Sequence, residues 1–130
     1  MKKTIISILA VFVAWSVMDF IIHGVILRSS YAATPALWRP MGEMKTSLMH
    51  FSAFIASLTF VLIYSLFISQ KGISTGLKYG VLFGLSVGVP MGYGSYSVMP
   101  IPYHMAFTWC FGSVVEAIVG GLIIGSIIRE

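Results

Sequence analysis

The chain has 130 residues, of which 58% are hydrophobic and only 9% are charged, with a formal net charge of +4 at neutral pH. Soluble domains carry about a quarter charged residues, so this composition excludes an ordinary soluble domain and indicates a membrane protein. In a membrane protein a positive net charge predicts orientation in the bilayer rather than nucleic-acid binding.

Four apolar segments follow one another along the chain, at about residues 4–27, 47–69, 77–98 and 104–128. Each is long enough to cross a hydrocarbon core, which requires about 20 helical residues. The period-2 alternation of a membrane β-barrel is absent. The sequence therefore predicts an all-α membrane protein in which residues 1–130 form a single domain, a bundle of four transmembrane helices.

Basic residues are distributed unevenly between the predicted loops. With the N-terminus inside, five basic residues lie on the cytoplasmic side and three on the outer side. The inner set is Lys2, Lys3, Lys71, Lys78 and Arg129, and the outer set is Arg28, Arg39 and Lys45. The positive-inside rule thus predicts cytoplasmic N- and C-termini. The spacing of the segments makes the loop between helices 1 and 2 the longer outer loop, and the expected location is a bacterial inner membrane.

The longest polar stretch is this outer loop, from Arg28 to Thr46. Trp38 and Arg39 are residue types that favour the headgroup level of a membrane. Together with Glu43 they are expected to form either an interfacial anchor or a lid over the bundle.

The first segment contains an ionisable pair. Asp19 precedes His23 by four residues, so the two side chains share one face of a helix. Glu116, near the middle of the fourth segment, is a second carboxyl at membrane depth, where the protonated form avoids the cost of burying a charge. Such residues normally face a bundle interior or a wet cavity. We expect an outward-facing polar pocket built on Asp19, His23 and Glu116 or, alternatively, polar contacts that join neighbouring helices.

Two further histidines are expected in the same half of the bundle. His50 and His104 lie near the starts of the second and fourth segments and extend the candidate pocket, and most methionines fall at similar depth. Imidazole, carboxylate and thioether groups suit copper or zinc. Asp19, His23 and His50 are therefore candidate metal ligands, although no ligand motif of fixed spacing is present. A proton is the other cation that Asp, His and Glu side chains can carry.

A glycine recurs at every fourth position of the third segment. The set is Gly76, Gly80, Gly84, Gly88 and Gly92, and the fourth segment carries a matching set of small residues, Ser113, Ala117, Gly121 and Gly125. Small residues at this spacing let two helix backbones approach closely. We expect the third and fourth segments to pack together, with homodimerisation as the alternative. Pro90 is expected to interrupt the third segment and unwind its end.

The function expected from these patterns is binding or passing a small cation, either a transition metal such as copper or zinc or a proton. The alternative is a non-catalytic accessory or assembly subunit of a larger membrane complex, packing through the glycine stripe. Enzymatic activity has weaker support, because Cys110 has no flanking basic residue and no phosphate-binding loop or His-x-x-x-His pair is present. The expected partners are the lipid bilayer and further protein subunits, not nucleic acid.

Overall fold

The computed structural model describes Met1 to Arg129, and these residues contain helices and no strand, with 85% of the chain helical. The α-helices are α1 (Lys2–Ile21), α2 (Arg28–Ala33), α3 (Thr46–Phe67), α4 (Ile73–Val89), α5 (Ser95–Val98) and α6 (Tyr103–Ile127). Shorter turns complete the path, π-helical at Ile22–Ile26 and Pro90–Gly94 and 3₁₀ at Pro35–Leu37 and Met41–Glu43. The predicted all-α class is confirmed.

Among the described residues, three helical segments are long and apolar enough to cross a membrane: Lys2–Ile26, Thr46–Phe67 and Tyr103–Ile127. They correspond to the first, second and fourth predicted segments and are consistent with a membrane protein. α4 is not in this set, and it has only 17 residues before the π-helical turn. A fourth crossing therefore requires α4, the turn Pro90–Gly94 and α5 to act as one span.

The expected interruption of the third segment is present, because α4 ends at Val89, but the expectation that the helix unwinds at Pro90 is wrong. Its φ and ψ angles of −61° and −38° are helical, and the turn Pro90–Gly94 leads directly into α5. Proline has no N–H group and cannot donate the usual hydrogen bond of an α-helix. A π-helical turn shifts the hydrogen-bonding register locally, so the helix accommodates the missing donor and continues.

α4 and α6 are antiparallel and make the most extensive helix–helix contact of the described chain. The glycines of the stripe are buried against α6; they are Gly76, Gly80, Gly84, Gly88 and Gly92. A Cβ atom at Gly84 would lie 2.8 Å from the Cα atom of Val114, and one at Gly88 would lie 2.7 Å from the carbonyl oxygen of Cys110. Only a residue without a side chain permits this approach. The stripe is thus occupied by α6 of the same chain.

Two apolar clusters hold the bundle together at opposite ends. The terminal-end core, near both chain termini, comprises Ile8, Val11, Phe60, Val61, Tyr64, Ile124 and Ile128. The loop-end cluster comprises Leu27, Ile101, Met105, Ala106 and Trp109, with Tyr31 and Trp38 among the residues packed against it. Between these clusters the bundle is open on its α3 side.

Phe60 is the centre of the terminal-end core. Its ring is fully buried, and the ring centroids of Trp15, Tyr79 and Phe83 lie 5.0, 4.7 and 4.8 Å away. The hydroxyl of Tyr79 donates a 2.7 Å hydrogen bond to the carbonyl oxygen of Phe60. These contacts fix α1, α3 and α4 relative to one another just below the open region.

Candidate functional site

A cleft of about 660 Å³ opens between α3 and the other helices. α3 packs along α1, where the rings of Phe12 and Phe54 meet at 5.7 Å, but its backbone approaches α4 and α6 much less closely. Leu48 and Met49 on α3 and Val87 and Met91 opposite them line the cleft and are 46–61% exposed. The cleft therefore reaches the surface of the bundle between α3 and α4.

Two carboxyl groups meet in this cleft. Asp19 extends from α1 and Glu116 from α6, and the Asp19 carboxyl interacts electrostatically with Glu116. The Oε1 atom of Glu116 is buried and has no hydrogen-bond partner among residues 1–129. Trp15 holds the Glu116 backbone in place, because its indole N–H donates a 2.7 Å hydrogen bond to the Glu116 carbonyl oxygen. A buried carboxyl oxygen without a donor is costly, and the cost is removed either by a proton that the two carboxyls share in a hydrogen bond or by another cation between them.

His23 connects the carboxyl pair with the loop end. Its Nε2 atom lies 3.7 Å from Asp19 Oδ1, and its Nδ1 atom lies 2.6 Å from the hydroxyl of Tyr31. The indole N–H of Trp109 donates to the same hydroxyl at 2.8 Å. If Tyr31 in turn donates to Nδ1, the proton on Nε2 faces Asp19. His23 lies in the π-helical turn Ile22–Ile26, a distortion that often occurs at functional sites.

Tyr31 is a member of this site that the sequence did not predict. Burial raises the pKa of its hydroxyl above the ordinary value of 10.0, the hydrogen bond from Trp109 lowers the pKa, and the charge of Asp19 raises it. Its ring packs edge-on against Trp38, with centroids 5.2 Å apart. Tyr31 and Trp38 follow the first apolar segment, and these two aromatic residues were the available sequence signal for a site there. The π-helical turn that brings His23 to Tyr31 leaves no mark in the hydrophobic pattern.

The rest of the lining is mainly apolar and includes three aromatic side chains, Trp15, Phe83 and Trp109. Both indole N–H groups are already engaged, so Trp15 and Trp109 offer apolar surface to the cleft. The further polar or charged lining residues are Lys45, Ser52, Thr59 and Ser113. The site is thus an apolar cleft with a carboxyl pair and an imidazole in its wall.

The structure does not bring the other predicted histidines to this site. His50 is exposed, and its Nδ1 atom lies 2.8 Å from the Thr46 carbonyl oxygen of its own helix. His104 is exposed and meets Ser30 Oγ at 2.6 Å. Neither residue lines the cleft. Sequence spacing predicts the position of each histidine along its helix axis but not the direction in which its side chain points.

The predicted metal ligands are likewise not assembled. Within the described part of the chain, no group of three or more His, Cys, Asp and Glu side chains could hold a metal ion. Asp19 and His23 are neighbours, but His50 does not join them in the lining of the cleft. The geometry gives no support to copper or zinc as the occupant.

The chain matches no protein-family model, no curated protein and no solved structure. A functional assignment therefore depends on the side chains of the cleft and their arrangement.

Proposed function

We propose that the protein binds a cation between Asp19 and Glu116, with the proton as the smallest such cation. The supporting observation is the buried, unpartnered Oε1 atom of Glu116 beside the Asp19 carboxyl. Two carboxylates held together in an apolar site repel each other, and a cation between them removes that repulsion. His23 and Tyr31 extend the site toward the loop end through groups that can exchange a proton.

The opposite end of the bundle is closed to such a cation. Phe60, Val61 and Tyr64 of the terminal-end core are fully buried. The buried hydroxyls of Ser7 and Ser57 donate to carbonyl oxygens of their own helices, at 2.8 and 2.9 Å. A cleft that opens between α3 and α4 but is closed at the terminal end favours a binding site over an open pathway, and passage across the bilayer would need a second conformation.

The proposed setting is a four-span membrane protein with both termini in the cytoplasm of a bacterium. Gly76 packs on Gly121 and Gly92 on Ala106, so α4 and the turn Pro90–Gly94 follow α6, which is long enough to span. A helix packed along a spanning helix over this length shares its depth in the bilayer. The excess of basic residues at the terminal end supports the orientation.

Cysteine accessibility in intact cells tests this topology. In a Cys110→Ser background, a membrane-impermeant maleimide should label Gly42→Cys and Val98→Cys from outside and leave Ser69→Cys unlabelled. A protein in which α4 and α5 do not cross would place Val98→Cys on the same side as Ser69→Cys. Labelling of Ser69→Cys alone would show that the protein has the opposite orientation, with both termini outside.

Infrared difference spectroscopy tests cation binding directly. For protein in a detergent without carbonyl groups, the protonated-carboxyl band should change with pH and should weaken in Glu116→Gln and in Asp19→Asn. Glu43→Gln is the matched control, because Glu43 is exposed and outside the cleft. Thermal unfolding of each variant identifies loss of folding. A titrating band that neither cleft substitution alters would overturn the proposal.

A further inference from the structure

We infer that the natural occupant of the cleft is an amphipathic organic cation, an ammonium group carried on an apolar body, which enters sideways from the bilayer. This inference rests on the proposed function, because it names the cation that the carboxyl pair binds. Four properties of the cleft support it: its volume, its charge, its aromatic wall and the position of its opening.

The volume of the cleft is the first of these properties. At about 660 Å³ it lies within the roughly 300–1,000 Å³ range of sites for small organic molecules. A single water takes about 30 Å³ of liquid volume, so a proton carrier or a bare ion would leave most of the cleft unfilled. The size therefore favours an occupant with an organic body.

The charge of the lining is the second property. Asp19 and Glu116 are its acidic residues and Lys45 is its basic residue. Once the pair has given up its shared proton, and with His23 neutral, two negative charges and one positive charge leave a net charge of minus one. A monovalent cation neutralises this charge, whereas an anion would be repelled by the carboxyl pair.

The aromatic wall distinguishes an organic cation from an inorganic one. Trp15, Phe83 and Trp109 line the same cleft as the carboxyl pair. An ammonium group is attracted to the faces of aromatic rings, and its hydrocarbon substituents gain by leaving water. Ions such as Mg²⁺ and Ca²⁺ instead need several oxygen ligands, which this wall does not supply.

The opening of the cleft indicates the route of entry. Leu48, Met49, Val87 and Met91 line the cleft and are substantially exposed, and all four are apolar. In the proposed topology this opening between α3 and α4 faces the hydrocarbon region rather than water. Flexible methionine side chains adapt to ligands of different shape. A molecule already dissolved in the bilayer can enter along these apolar side chains, while Lys45, Ser52 and Thr59 supply the exposed polar part of the lining.

Binding of such a cation is expected to release a proton from the site. The titratable and charged groups around the pair are Asp19, Glu116, His23, Tyr31 and Lys45. A proton shared by the carboxyl pair and an arriving ammonium group compete for the same charge. One cation bound therefore corresponds to one proton released, and the measured affinity should increase with pH.

A pair of ions with the same shape and opposite charge provides the test. Tetraphenylphosphonium is a permanently charged apolar cation, and tetraphenylborate is its anionic counterpart. We expect calorimetry with the purified full chain in non-ionic micelles to show saturable binding of the cation and only micelle partitioning of the anion. The cation should release protons into a weakly buffered solution.

Variants separate the role of charge from the role of space. The double variant Asp19→Asn/Glu116→Gln should bind tetraphenylphosphonium about ten- to a hundredfold more weakly, as expected for loss of a charge-assisted contact. Glu43→Gln should bind like the wild type. Ala56→Phe, which fills the cleft without removing charge, should weaken binding, whereas Ile55→Phe on the neighbouring exposed position outside the cleft should not.

The outcomes distinguish this inference from the proposed function. Equal binding of the two ions, or no effect of Ala56→Phe, would overturn the organic-cation inference. If the infrared band still weakens in Glu116→Gln, cation binding at the carboxyl pair stands with a smaller occupant. If neither the infrared band nor the binding of tetraphenylphosphonium depends on Asp19 and Glu116, both proposals fail. The inference would be supported if the protein binds tetraphenylphosphonium and not tetraphenylborate, and if both Asp19→Asn/Glu116→Gln and Ala56→Phe weaken that binding.

Discussion

The two ends of the bundle use similar residue types to opposite effect. At the terminal end, aromatic rings fill the space around Phe60, and the glycine stripe joins α4 to α6 there as it does along the rest of their length. From this core toward the loop end, α3 diverges from α4 and α6, and the space between them holds two carboxyls and an imidazole. The terminal end thus stabilises the fold, and the loop end carries polar groups that a packed core would exclude.

The largest expected effect is a bulky substitution in the glycine stripe at the terminal end. A Cβ atom at Gly80 would lie 2.9 Å from the Cα atom of Ile118. Because backbone on both sides would have to move, we expect Gly80→Leu to reduce the free energy of unfolding by about 3 kcal/mol or more. Thermal or denaturant unfolding in mild detergent measures the change.

Gly94→Leu is the matched control for this substitution at the loop end. Gly94 is exposed, and the nearest atom to an added Cβ is Pro90 Cβ at 3.9 Å, an ordinary contact. We expect a change within about 0.5 kcal/mol, as for most surface positions. Equal destabilisation by both leucines would contradict the division between the two ends.

A smaller effect is expected from a hydroxyl in the terminal-end core. Tyr64 is fully buried, and its hydroxyl donates to the Gly72 carbonyl oxygen at 3.1 Å and accepts from the Gly72 N–H at 2.9 Å. Tyr64→Phe leaves the Gly72 N–H unpaired, whereas the Gly72 carbonyl oxygen keeps its hydrogen bond from the Gly76 N–H, so we expect a loss of about 1–3 kcal/mol. Tyr96→Phe, at a side chain 44% exposed, should be nearly silent. Similar losses from both variants would show that burial of the hydroxyl does not matter.

Sequence reasoning succeeded where helix geometry is regular and was incomplete where it is not. Spacing of four residues placed Asp19 beside His23 and gave the glycine stripe one face, because a single π-helical turn at the end of each helix leaves the i,i+4 neighbours close together. The same arithmetic gives a residue's height along a helix but not the tilt of that helix. His50 lies in the first turns of α3 as predicted, yet its exposed imidazole lies outside the cleft.

The two π-helical turns explain what the sequence could not show. The turn Ile22–Ile26 changes the phase of the helix and brings His23 to Tyr31, and the turn Pro90–Gly94 carries the helix past a proline. The first turn has no marker in the hydrophobic pattern, and the second follows a proline that marks a break in the helix without specifying a π-helical turn. The carboxyl pair was predictable because charge at membrane depth is rare, whereas a tyrosine there is ordinary.

At the loop end, loss of the Tyr31 hydroxyl should have a modest effect on stability. Tyr31→Phe removes the contact with His23 at 2.6 Å and leaves the indole N–H of Trp109 without its acceptor. The site is only partly buried, so water can replace part of this bonding, and we expect a loss of about 1 kcal/mol. Tyr103→Phe is the control, because its hydroxyl meets Tyr93 at 3.0 Å in an exposed position. A loss as large as that of Tyr64→Phe would indicate that the loop end contributes equally to folding.

The smallest effect concerns the same hydroxyl at high pH. Burial, the first cause, raises the pKa of Tyr31 above 10.0 in the folded protein, so the folded state holds this proton more tightly than the unfolded state. The resulting stability is fully present below the unfolded pKa and is lost as pH rises through the folded pKa. The loss begins near the unfolded pKa and grows with further increase in pH until the folded pKa is passed. The difference in unfolding free energy between wild type and Tyr31→Phe should therefore shrink as pH rises from neutral through this range. A difference that stays constant over this range, or a Tyr31 absorbance change at or below the ordinary pKa, would show that the hydroxyl is solvated like a free tyrosine and that water reaches the loop end at Tyr31.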